Sequence, residues 1–144
     1  MPFAWPLRLL ASLTLCLAVS ACGAQTRTDA LVPTRPADLR STLQGHWSII
    51  DADEAAVATL ELDGGRFVLD TLERQMFGDW DVLEFVPNQS TIALQIDGFE
   101  QDGIREVYGA PDQWVLTLVF ANLNRIFVVQ PEAGWTRWDR HAAQ

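Results

Sequence analysis

The feature that most constrains the fold of this chain is a two-residue alternation of apolar and polar side chains. It is clearest where Trp47 and Ile49 alternate with His46 and Ser48, and it recurs between turn-forming residues across residues 45–130. Strict alternation is typical of a β-strand that buries one face and leaves the other in water. The chain from residue 45 onward is therefore predicted to be all-β.

We predict eight strands, because eight alternating segments are separated by clusters of Gly, Pro, Asn and Asp. The segments are centred on residues 47–49, 58–62, 67–69, 78–82, 92–96, 104–108, 114–120 and 126–129. Asp63-Gly64-Gly65 is a hairpin signal, and Gly109-Ala110-Pro111-Asp112 is expected to end the sixth strand. All connections are short, which predicts an antiparallel up-and-down eight-stranded barrel whose closure removes exposed edges. An open sandwich would use the same strands.

The interior of this barrel is predicted to be filled with aromatic side chains. Those with inward parity are Trp47, Phe67, Trp80, Trp114 and Phe127. Rings of this size bury 150–250 Å² each, and strands of about six residues span only roughly 20 Å, so a packed core is favoured over a ligand-lined cavity. The strand at residues 114–120 also carries Val115 and Val119 on its other face. Trp135 and Trp138 follow the last predicted strand and are expected to cover the barrel wall, with a contact patch as the alternative.

The first 21 residues read as a targeting segment. Arg8 is the one charged side chain in it, and the apolar run Leu9–Val19 has eleven residues. That length suits a signal peptide and is too short to cross a bilayer core of about 30 Å as a helix.

Val19, Ser20, Ala21 and Cys22 resemble the lipobox of bacterial lipoproteins, in which an aliphatic residue and two small residues precede a cysteine. The resemblance implies a lipid on the thiol of Cys22, cleavage before it and acylation of the new amine with fatty acids such as palmitate. Several acyl chains on one residue give stable anchoring. Cys16 lies inside the apolar run and would be discarded. An ordinary cleavage site, or an uncleaved anchor, is the alternative.

The predicted organisation is therefore a lipoprotein signal peptide (residues 1–21), a flexible tether (22–36) and a barrel domain (37–140). Gly23 follows the cysteine, and by resemblance to the sorting rule of enterobacterial lipoproteins this favours the periplasmic face of the outer membrane. Asp38 is expected to cap a single helical turn that closes one end of the barrel.

The processed chain would be strongly acidic. Residues 22–144 contain nine arginines, no lysine and nineteen acidic residues, a net charge of −10. Phosphate backbones repel such a surface, which argues against nucleic acid as a partner. Cys22 is the one cysteine left after processing, so no intramolecular disulfide is expected.

Residues with catalytic or metal-binding chemistry are few. The two histidines, His46 and His141, do not suggest a zinc site, and a serine triad would need one of them beside a serine. Phe99 stands at the third position of residues 97–103, where a calcium loop needs an oxygen ligand. We therefore predict no cofactor, no metal and no enzymatic activity.

The start of the barrel carries a resemblance of its own. Leu43-x-Gly45-x-Trp47 looks like the opening of lipocalin-like (calycin) barrels, and a second Gly-x-Trp begins at Gly78. The resemblance covers roughly residues 39–130. It implies a glycine that permits close packing and a tryptophan that plugs the closed end. Further lipocalin motifs are not found, so ligand binding is not carried over.

Two classes of function follow. The first is a membrane-anchored, non-catalytic binding or envelope-accessory module for a small apolar ligand or a protein partner. The second is a periplasmic inhibitor of a protease or other hydrolase, since inhibitors of the metalloprotease-inhibitor type resemble a short barrel with a Gly-x-Trp start. Those inhibitors use a disulfide and a free N-terminal arm. The processed chain would have no cysteine pair, and its acylated Cys22 would occupy the N-terminus, so both features count against this class.

Overall fold

The structure, a computed structural model, describes Pro33 and residues 35–141, which belong to a compact unit of residues 31–144. The predicted signal peptide and Cys22 lie outside the described residues, as does most of the predicted tether.

Helix α1 (Pro36–Leu43) precedes the sheet and buries Leu39 and Leu43 on one face. The prediction that Asp38 caps this helix is wrong. Arg35 is at the N-cap with extended backbone, because a residue before proline is driven out of the helical region. Asp38 lies in the first turn and accepts a hydrogen bond of 2.9 Å from Arg35 Nε.

Eight antiparallel strands form a closed barrel in which each strand pairs with its neighbours in sequence and β8 pairs with β1. The predicted closed up-and-down barrel is thereby confirmed. The strands are β1 (Gly45–Ile50), β2 (Ala56–Asp63), β3 (Arg66–Thr71), β4 (Gln75–Val86), β5 (Gln89–Gln101), β6 (Ile104–Asn122), β7 (Arg125–Gln130) and β8 (Gly134–Arg140).

Two of these strands differ from the prediction. The predicted sixth and seventh strands are one strand, β6, in which Val107 pairs with Gly98 and Asp112 pairs with Ile96. Residues 108–111 therefore stand opposite Asp97 alone, so the turn signal there produces a bulge and does not end the strand.

The eighth strand is β8, a strand that the alternation pattern does not predict. Pro131 and Gly134 do not terminate the sheet, because Glu132 and Gly134 adopt positive φ angles of 71° and 86° and turn the chain back. Trp138 on β8 is only 2% exposed and belongs to the core. The expectation that it covers the outside of the barrel is wrong.

Glycines let β4, β5 and β6 approach closely. A Cβ at Gly78 would lie 1.8 Å from the carbonyl oxygen of Gln95, and a Cβ at Gly98 would lie 2.0 Å from that of Glu106. The strand register shifts beside each glycine. Where two backbones approach this closely at a bulge, there is no room for a side chain.

Candidate functional site

The closed end of the barrel is built around Trp47, which is fully buried. Its indole Nε1 donates a hydrogen bond of 2.9 Å to the carbonyl oxygen of Leu43, at the end of α1. The guanidinium of Arg140 lies 4.2 Å from the centre of the Trp47 ring and donates to the carbonyl oxygens of Gln44, at 2.8 Å, and Thr42. These bonds tie α1 to the last strand and close this end.

Gly45 makes that arrangement possible. Its φ angle is +113°, and a Cβ there would lie 3.1 Å from Nη1 of Arg140. The surrounding packing also lowers the pKa of the Arg140 guanidinium, because burial disfavours its charged form. The arrangement is structural, because it holds α1 and β8 against the ring of Trp47.

The predicted interior aromatic residues are inside the barrel, with one exception. Trp47, Phe67 and Trp80 are buried, and Trp114 is partly buried against the core. Phe127 points outward and is 37% exposed, so its predicted inward position is wrong. The reason is register: it is Ile126 and Val128 of β7 that face the core.

The open end contains a cavity of about 100 Å³. Leucine, isoleucine, valine and the rings of Trp114 and Trp138 line it, and Gln130 and Thr136 supply polar side chains. Pockets for drug-sized ligands are about 300–1,000 Å³. The barrel interior is therefore largely filled, and this space is too small for an acyl chain or a ligand of comparable size.

Apolar side chains stand out at the rim of the open end. Leu72 lies in the β3–β4 turn and is 94% exposed, while Ile104, at the tip of the β5–β6 hairpin, is 71% exposed. The turn that carries Leu72 is held by hydrogen bonds between Thr71 and Arg74. Exposed apolar side chains on a braced turn are available for contact with a partner.

The outside of the barrel has two unlike halves. The outward residues of β1–β4 include both signs of charge, and we call this surface the charged wall. It comprises His46, Glu61, Asp63, Arg66, Asp70, Asp79, Asp81 and Glu84. The other half, β5–β8, also carries charged residues, and Arg137 of β8 pairs with Phe127. The part of it that we call the uncharged wall comprises the outward residues among 89–95 of β5, 113–121 of β6 and 127–129 of β7, together with Trp135 of β8. None of these residues is charged.

The uncharged wall exposes five large apolar side chains to between 37% and 47%: Val115, Val119, Phe127, Val129 and Trp135. Strand pairing puts Val119 beside Phe127 and Val129 beside Trp135. The rings of Phe127 and Trp135 are 6.0 Å apart in an edge-to-face arrangement. The five side chains thus form one continuous surface across three strands.

A charged cluster joins β8 to its neighbours beside this wall. Asp139 accepts hydrogen bonds from Arg125 Nε at 2.8 Å and from Arg137 Nε at 3.0 Å, and Arg137 also contacts Glu54 at 2.8 Å. The hydrogen bond from Arg125 is the main reason why the pKa of Asp139 lies below its ordinary value. The cluster secures the joint between the end of the barrel and its beginning.

The fold brings together one pair of chemically active groups that the sequence did not predict. His141 Nε2 lies 2.5 Å from the hydroxyl oxygen of Ser48, across 93 residues of sequence. The pair is exposed on the outer surface, and in the described part of the chain no carboxylate hydrogen-bonds to the other ring nitrogen. His46 lies 3.8 Å from Glu61. Within residues 35–141 no cluster of three or more metal-ligating side chains is present.

The indole Nε1 of Trp80 is a buried donor without a partner among the described residues. The guanidinium of Arg40 lies over the same ring at 5.3 Å. Trp80 does not line the open-end cavity, so this donor is not part of that space.

Neither protein-family models, nor curated proteins, nor solved structures give a match to this chain. Over the described residues, no helix combines the length and the apolar character needed to cross a bilayer. Cys22, the predicted lipidation site, is outside the described residues, and its role stays a prediction.

Proposed function

We propose that the protein is a lipoprotein anchored through Cys22, whose lipocalin-like barrel is a non-catalytic module that binds a protein partner at its open end. The observation that carries the choice of a protein partner is the filled interior: the cavity is about 100 Å³, and apolar residues stand on the rim instead. The lipobox-like sequence supports the anchor, and α1, which precedes β1, ends at the closed end of the barrel. The open rim is then opposite the end that the tether enters.

The anchor is tested by metabolic labelling with palmitate, followed by separation of the cell envelope. Cys22→Ala is expected to abolish labelling and leave the uncleaved, larger form. Cys16→Ser is the matched control, because that residue is removed with the signal segment, and it is expected to keep full labelling. A Cys22→Ala protein that is still labelled and processed would overturn the anchor.

The rim is tested with a photo-activatable residue placed at Leu72 or Ile104 in the anchored protein. One defined protein product is expected from both positions. Leu83 is the matched control, because it is 54% exposed on the half of β4 that approaches the closed end. The same photo-activatable residue at Trp114 reports on the cavity. Lipid or small-molecule products from that position, with no protein product at the rim, would favour an apolar ligand in the cavity.

Inhibition of a hydrolase is the second candidate. It is favoured by the convex position of Leu72 on a turn braced by Thr71 and Arg74, since a rigid exposed side chain can fill a specificity pocket at low entropic cost. Capture of a hydrolase by the rim positions, together with loss of its activity, would support this candidate. Leu72→Glu should then restore that activity.

A further inference from the structure

We propose that the uncharged wall is the contact surface between two copies of this chain. Its five apolar side chains are contiguous and partly exposed. A continuous apolar patch on the outside of a barrel gains free energy only when another surface covers it.

The charge of the processed chain favours a second copy as the partner that covers this wall. The processed chain carries nine arginines against nineteen acidic residues, and the outward residues of β1–β4 hold much of that charge. A basic partner would be drawn to the charged wall and not to the uncharged one. Two acidic copies that meet through their uncharged walls keep their carboxylates apart. An uncharged, apolar surface is therefore where two copies of so acidic a chain can meet, and we take a second copy as the occupant.

Symmetry is compatible with this pairing. A two-fold axis parallel to the barrel axes makes each uncharged wall face the other, so that the same patch serves both copies. Both closed ends, and both helices α1, then point in the same direction. Beside β8 the uncharged wall is bordered by both signs of charge, with Arg125 and Arg137 next to Asp139, so the borders of the two copies can pair across the axis.

The area of the surface predicts a weak contact. Strands are spaced about 4.8 Å apart and rise about 3.3 Å per residue, so β5–β8 present a face of roughly 15 Å by 25 Å. That is about 400 Å² in projection, compared with about 800 Å² per partner in a stable interface. The dimer should therefore need a high effective concentration, which confinement to a membrane supplies. This last step rests on the proposed lipid anchor, whereas the surface itself does not.

The test is disulfide cross-linking of the full chain in cell envelopes. Val129→Cys places a thiol at the centre of the uncharged wall. Thr59→Cys is the matched control, because Thr59 is an exposed β-branched residue in the middle of β2 among the charged wall. Mild oxidation is expected to link Val129→Cys into a homodimer at least about tenfold more efficiently than Thr59→Cys.

The parent protein separates the two proposals. A covalent dimer of the parent would mean that Cys22, or Cys16 of an unprocessed chain, is a free thiol, and the anchor would fail while the surface stays testable. Mass measurement of the purified full chain at increasing concentration then decides, since Val129→Glu should abolish self-association and Thr59→Glu should preserve it. Circular dichroism verifies that both variants are folded.

Three results would overturn the dimer. They are equal linking at both positions, linking of Val129→Cys to a different protein, and quenching by brominated lipid that the Trp135→Phe variant no longer shows. The second would assign the surface to a hetero-complex, and the third would assign it to the membrane.

Discussion

The charged wall and the uncharged wall are made from the same kind of strand and cover the same core, yet they meet water differently. On β2, Glu61 lies between the buried Leu60 and Leu62, whereas on β6 Val119 lies between the buried Leu118 and Phe120. The first strand has the alternation expected of a half-buried sheet, and the second is apolar on both faces. A strand that is apolar on both faces is typical of one that is covered on both faces.

The two walls together show that the fold requires apolar residues only on the strand face that points into the barrel. Burial inside the barrel explains Leu118 and Phe120, but it does not explain Val115, Val119 or Phe127. The composition of the uncharged wall therefore reflects something outside the barrel, and we assign it to a second copy of the chain. The following predictions test this contrast, from the joints between the walls to the walls themselves.

The largest effect is expected at the joint between β4 and β5, where the charged wall meets the uncharged wall. Gly78→Ala should lower the free energy of unfolding by about 3 kcal/mol, because its Cβ would collide with the carbonyl oxygen of Gln95 and force the strands apart. Urea denaturation measures the loss. Gly65→Ala is the control, since its Cβ meets nothing within 4 Å and should change stability by less than about 0.5 kcal/mol. Similar losses in the two variants would contradict the close approach.

The next effect concerns the closed end that both walls share. Arg140→Met should cost about 2 kcal/mol, because the carbonyl oxygens of Thr42 and Gln44 lose a charged donor in a partly buried position. Thermal and urea unfolding measure this. Arg74→Met removes an arginine that lies 5.1 Å from the Phe99 ring at the exposed rim, and should cost less than about 1 kcal/mol. An equal cost would show that Arg140 contributes only stacking.

A smaller effect is expected at the charged cluster of β8, where Asp139 is bonded to Arg125 of β7 and to Arg137. Asp139→Asn should cost about 1 kcal/mol at pH 7, because Arg125 and Arg137 lose a shared carboxylate. The pKa of Asp139 is lowered in the folded protein, so this stabilisation is present above the unfolded pKa of about 3.9 and is lost as pH falls through the folded value.

The difference in stability between the wild type and Asp139→Asn should therefore shrink as pH falls below about 4. Urea unfolding at several pH values checks the sign. Asp70→Asn is a suitable control, because Asp70 is an exposed aspartate on β3. A difference that grows in acid would contradict the assignment.

The smallest effect on stability is expected on the walls themselves. Val129→Glu and Thr59→Glu should each change the free energy of unfolding by less than about 1 kcal/mol, because both residues are exposed and neither is in the core. Self-association should nevertheless distinguish them, with loss for Val129→Glu alone. Urea unfolding at low protein concentration measures the first quantity. A large stability loss for Val129→Glu alone would mean that its exposed position supports the barrel.

Much of the fold was predictable because alternation is a local signal. The pattern around Trp47 and Trp80 predicts which side chains point inward, and the structure confirms both. The turn at residues 109–111 was misread because Gly and Pro signal a bulge and a turn alike, and the partner strand decides between them. Phe127 was misplaced because β7 is apolar on both faces, so alternation gives no parity there.

The candidate surfaces were less predictable than the core. Val115 and Val119 were visible as apolar residues on a second face, but Trp135 joins them only through the pairing of β7 with β8. Arg140 reaches Trp47 across most of the barrel's sequence, and no short-range pattern connects them. The proximity of Ser48 and His141 has the same origin.

The amino-acid sequence predicts an all-β domain with inward tryptophans, an acidic surface and, from its lipobox-like segment, an anchor. These follow from local spacing and composition. Three features depend on the tertiary structure: β8 closes the barrel, the cavity at the open end is about 100 Å³, and apolar residues of three strands form one outer surface. The physical reason is that closure and register are relations between distant strands, and a period of two describes each strand without naming its neighbour.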